Sequence, residues 1–149
     1  MSRRVFKVVE PMGEGVYRSA LAGCLPAGAE VEYRLNVATQ PRVPGSGLMA
    51  FESIEAAKVF AYSHPVWRRR ERLQVWQADA SYLLVMPPGL PRDAMGGEWA
   101  LDQLARFWAD PAAYVAQAAP ETIVRPAWDA VLCANVTLVW RVRWAGEGT

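Results

Sequence analysis

From residue 131 to residue 144 the chain alternates without a slip. Leu132, Ala134, Val136, Leu138, Trp140, Val142 and Trp144 hold every second position. Successive side chains of a strand point to opposite faces, so this pattern predicts one long, half-buried strand. Asn135, Thr137, Arg141 and Arg143 share the other face with Val131, Cys133 and Val139. Such a strand is expected to pair inside a sheet and lock the fold.

The same period appears in Glu30-Val31-Glu32-Tyr33-Arg34-Leu35. Val31, Tyr33 and Leu35 are expected to face inward and the three charged residues outward. One wet face per strand is the mark of an antiparallel sheet. Val5 to Val9, Val16 to Leu21, Leu48 to Phe51, Leu73 to Ala78 and Tyr82 to Met86 read as further strands, with Pro11, Gly13 and Gly15 as punctuation. Residues 36–47, with two prolines and two glycines, read as loop.

Helical spacing takes over in three places. Ile54, Ala57, Phe60 and Ala61 share one face behind Ser53, a suitable N-cap, and Pro65 ends that helix by Ser63. Leu101, Leu104, Ala105 and Trp108 predict a second helix. Asp110-Pro111 begins a short third one, bounded by Pro120. The expected fold is α+β: a mostly antiparallel sheet with two or three helices packed on one face. The 149 residues suit a single domain over 1–149, with 87–97 as a loop or hinge.

No apolar run approaches the ~18–20 residues that span a bilayer, and the stretch behind Arg3-Arg4 is too short for a signal peptide. A cytoplasmic location without membrane attachment is expected. Cys24 and Cys133 are then expected as two free thiols, and the sequon Asn135-Val136-Thr137 as part of a strand. With a net charge of +1, no global field draws the chain to nucleic acid. The basic residues are nonetheless skewed: Lys7 and Lys58 are the only lysines among sixteen. A GC-rich genome or a thermophilic host would each give this bias, and both readings stay open.

Chemistry-bearing patterns are few. His64 is the sole histidine, so any triad, Cys–His pair or His-rich metal site would have to use it. Its place before Pro65 is that of a helix end. No nucleophile elbow, zinc spacing or tight carboxylate cluster is present, so no catalytic residue, metal or cofactor is assigned. Gly13-Glu14-Gly15 and Pro44-Gly45-Ser46-Gly47 are turns rather than phosphate loops. The densest candidate is Trp67-Arg68-Arg69-Arg70-Glu71-Arg72. Guanidinium groups bind carboxylates and phosphates in bidentate fashion, and an indole anchors interfaces. Trp67, Arg68, Arg69, Arg70 and Arg72 are therefore the expected partner-binding residues, facing an acidic protein surface in preference to nucleic acid. Of the other tryptophans, Trp76, Trp108, Trp140 and Trp144 are expected in core faces, and Trp99 and Trp128 at edges.

Phe6-Lys7-Val8-Val9, Glu32-Tyr33-Arg34, Gly47-Leu48-Met49-Ala50-Phe51 and Ser53-Ile54-Glu55-Ala56-Ala57-Lys58-Val59-Phe60 follow one another in a familiar order. With Ala130 to Leu138, this resembles a group of small accessory proteins of tailed phages and prophages. The resemblance touches the first 80 residues and the last 20 or so, and its motifs are structural. It implies a viral accessory protein. Small phage proteins of thermophilic hosts include takeover factors that inhibit bacterial RNA polymerase. The leading expectation is thus a non-enzymatic protein that docks on a host macromolecule, RNA polymerase or its sigma factor, and modulates transcription. The alternative is a nucleotide-ligand binder or sponge acting against host immunity, with Arg34, Tyr33 and Trp76 around a pocket. The third is an ADP-ribosyltransferase-like enzyme. That class uses a glutamate on a late strand, and residues 73–77 and 131–144 hold none.

Overall fold

The structure is a computed structural model and describes residues 2–19, 30–63, 72–91 and 101–143. Its strands are β1 (Arg3–Gly13), β2 (Val16–Ser19), β3 (Glu32–Arg34), β4 (Leu48–Phe51), β5 (Gln74–Ala80), β6 (Leu83–Leu84), β7 (Leu90–Pro91), β8 (Ile123–Val124), β9 (Ala130–Cys133) and β10 (Thr137–Val142). The helices are α1 (Ile54–Ser63), α2 (Leu101–Ala109) and α3 (Pro111–Gln117), with a 3-10 turn at Pro120–Thr122. The mixture is α+β, and all of the strand pairs are antiparallel.

β1 organises the sheet. It pairs with β5 from Arg3↔Ala80 to Val9↔Gln74 and with β2 from Val9↔Ser19 onward. Pro11 does not end it, because the β5 ladder has stopped by then and the missing N–H is not needed there. Glu14 and Gly15 close the β1–β2 hairpin, with Gly15 at φ 71°. β2 pairs with β3, and the segment after β3 crosses to β10: Asn36 N donates to Leu138 O, and Thr39 and Val136 exchange both backbone bonds. Since β10 pairs with β5, hydrogen bonds run in a closed circuit from β1 back to β1. Val5, Val9, Tyr33, Ala78, Val136 and Leu138 fill its interior.

The other face of β1 carries Phe6 and Val8, and α1 covers it with Ala56, Ala57 and Ala61. Ser53 caps α1, its hydroxyl accepting from Ala56 N at 3.1 Å and donating to Asp129 Oδ2 at 3.1 Å. Asp110 Oδ1 accepts from Ala113 N in the same way at the start of α3. Phe107, fully buried on α2, meets Tyr114 of α3 edge-on at 5.4 Å between ring centres. β7 pairs with β8, so Leu90 and Pro91 belong to a strand rather than to a loop over 87–97.

The long C-terminal strand is broken in two. β9 pairs with β4 and β6, and β10 with β5. Between them Asn135 turns its amide to the chain, Oδ1 accepting from Ser81 N at 3.1 Å. A bulge at Val139 then adds one residue to β10, since Leu138 faces Ala78 and Trp140 faces Gln77. Trp140 is thereby turned out of the interior and stands 68% exposed, contrary to the core position that alternation assigns it. Leu35 also departs from its expected face. β3 ends at Arg34, Asn36 takes φ 63°, and Leu35 is exposed.

Candidate binding cavity

Val5, Lys7 and Val9 alternate along β1 and so face the same interior. Two of the three are apolar, and the third carries an amine into the core: Lys7 is only 4% exposed. Nζ donates to the backbone oxygen of Met49 and lies 5.4 Å from the centre of the Tyr33 ring. Burial lowers the Lys7 pKa from 10.5 to about 8, partly offset by the Cys133 thiol. Burial likewise pushes the Tyr33 phenol well up, so it stays neutral at any physiological pH. The Cys133 thiol is also raised by burial, against the opposing charges of Lys7 and Arg3.

Lys7 and Tyr33 line a cavity of about 160 Å³. α2 supplies Leu104, Phe107 and Trp108, β4 supplies Leu48, and the turn before it supplies Ser46 and Gly47. That turn is held by Ser46 N donating to Val43 O at 3.1 Å, with Gly45 at φ 77°. The described walls include two cations, Lys7 and Arg42, and no carboxylate. Arg42 Nη1 donates to Glu30 O at 3.2 Å. The arrangement is a largely apolar, partly open cavity with two cations in its described walls.

The structure does not gather Arg34, Tyr33 and Trp76 into one pocket. Tyr33 and Arg34 are neighbours on β3 and so point to opposite sides, Tyr33 into the cavity and Arg34 toward solvent beside Glu32. Arg34 borders a separate polar hollow of about 460 Å³. Trp76 pairs with Lys7 across the β1–β5 ladder but packs against Tyr17, ring centres 5.1 Å apart, and donates Nε1–H to Gln74 Oε1 at 3.0 Å.

Of the basic run, Trp67, Arg68, Arg69 and Arg70 lie outside the described residues, as do His64 and Cys24. Arg72 turns inward. Its Nη1 is 3.2 Å from Oε1 of Glu10, which is 2% exposed, and Nη2 donates to Pro11 O at 3.4 Å. Arg18 holds the other oxygen of Glu10 at 3.2 Å. Arg72 thus answers a buried carboxylate of this chain.

Lys7 is the residue that a search for motifs misses. Its signal was nevertheless in the sequence: a lysine on the apolar side of an alternating strand. Among the described residues no three His, Cys, Asp or Glu side chains group as metal ligands, and no helix is long and apolar enough to cross a membrane. No family model, curated protein or solved structure matches the chain.

Proposed function

We propose that this chain is a binding protein for a small, largely apolar molecule that carries an anionic group. The observation behind this reading is the buried Lys7 ammonium in the wall of an apolar cavity whose described walls hold no carboxylate. A buried charge is costly unless paired, and an anionic ligand would supply a counter-charge that the described walls lack. A dry cavity of about 150 Å³ holds a benzene ring, so the ligand body is a single ring or a short branched chain. Below about pH 8 the amine is charged, and anion affinity is expected to be level; above that it falls as the proton is lost. Benzoate is the first probe, with benzyl alcohol and benzylammonium as neutral and cationic counterparts. Benzoate is expected to raise the melting temperature at pH 7, with less effect from the alcohol and none from the cation. A flat response to benzoate, or an equal response in Lys7→Met, would remove the reading.

The second reading is docking on a host macromolecule such as RNA polymerase. It is favoured by Trp140, an indole that the Val139 bulge displays on the surface. Because Arg72 is tied to buried Glu10, Arg72→Glu would set two carboxylates together and unsettle the fold. The informative variant therefore changes Arg68, Arg69 and Arg70 to Glu and leaves Arg72. Loss of salt-sensitive polymerase capture with an unchanged melting temperature is expected, and undiminished capture would end this reading.

A further inference from the structure

We propose that Lys7 captures small apolar aldehydes as a covalent imine within the cavity. The inference rests on the cavity being a ligand site, and it adds a reaction to that site. The geometry offers what imine formation needs. Lys7 lines the cavity, with Leu104, Phe107 and Trp108 contributing apolar wall. An aldehyde carried on an aromatic ring or short chain would place its body among them. The reaction balances without an oxidant or reductant: the amine nitrogen bonds to the carbonyl carbon, and both amine hydrogens leave with the carbonyl oxygen as water.

The nucleophile is the neutral amine, and burial makes it available near neutrality, the Lys7 pKa being about 8. The titratable and charged groups packed around it are the Tyr33 phenol of β3, the Cys133 thiol of β9 and Arg42 at the wall. The first two are neutral at pH 7, their pKa values being raised by burial, and Arg42 is a fixed cation. Among the described residues, the pH dependence of aldehyde capture near neutrality is therefore that of Lys7. It runs opposite to that of anion binding: capture grows toward about pH 8 and levels off, while benzoate binding begins to fail there.

The sequence supplies its own control, since Lys58 on α1 is the only other lysine. The probe is benzaldehyde with sodium cyanoborohydride, which fixes the imine as a benzyl amine, followed by peptide mass mapping of the full chain. The expected result is at least tenfold more benzylation at Lys7 than at Lys58 at pH 8, rising from pH 6 to 8 and suppressed by benzoate. Equal labelling of the two lysines, or labelling of Lys58 alone, would overturn the proposal. Benzoate binding without Lys7 labelling would overturn imine capture and leave the ligand site standing. Failure of both probes would overturn the site as well. The wild-type comparison of two lysines needs no variant.

Discussion

Lys7 sets a cost on the folded state that runs with pH. In the unfolded chain its amine holds a proton up to about pH 10.5, and in the folded chain only up to about 8. Between those values the unfolded state binds the extra proton, so stability rises with pH across that window. Below about 8 both states are protonated and the burial penalty, about 3 kcal/mol, is present in full. Lys7→Met removes that penalty and gives up one hydrogen bond to Met49, worth about 1 kcal/mol. The variant is therefore expected to be about 2 kcal/mol more stable than the wild type at pH 7. Denaturant titration should show that gap narrowing by pH 9.5, and a gap that ignores pH would contradict it. Lysine on an inward face is legible in the order Val5, Lys7, Val9. What the sequence does not disclose is the absence of a carboxylate among the described neighbours of the amine, because those neighbours come from β3, β4, β9 and α2. The Glu10 contacts divide in the same way: Arg18 is its cross-strand partner in the β1–β2 hairpin, whereas Arg72 comes from a distant part of the chain.

Elements were readable where one rule governed them. Ser53 and Asp110 announced their helices because capping is local, needing only a side-chain oxygen and an N–H three residues on. The C-terminal alternation foretold strand but not its interruption. A bulge costs one residue and leaves no mark in an apolar pattern, so Val139 flips Trp140 outward with nothing in the sequence to announce it. The turn into β4 has a sharper constraint. A Cβ at Gly47 would come within 2.5 Å of Leu132 Cγ, so β4 and β9 meet only because that position is bare. Gly47→Ala should cost about 1–3 kcal/mol by overpacking. Leu132→Ala in the same chain should recover part of that loss, giving a coupling between the two changes. Strict additivity in thermal unfolding would show that the contact is not the cause.

At the scale of the molecule, α+β class and antiparallel pairing followed from wet-faced strands and helical spacing, which are properties of single segments. The closed circuit did not follow, because it depends on Thr39 meeting Val136 across the interior, and a bridge between distant segments has no local period. A ring of strands shares its interior among all members, so loss of one pair exposes the core to water. Intrinsic tryptophan fluorescence and far-ultraviolet circular dichroism should accordingly trace one coincident denaturation curve, and separated midpoints would show that the ring opens in stages. The circuit also fixes an order in time. β1 leaves the ribosome well before its neighbour β5, which begins at Gln74, and before β10, which completes the ring and begins only at Thr137. Contacts so distant along the chain are slow to form. During synthesis β1 waits for those partners with Val5, Val8 and Val9 uncovered, and an apolar strand left open in this way is prone to aggregate until they arrive.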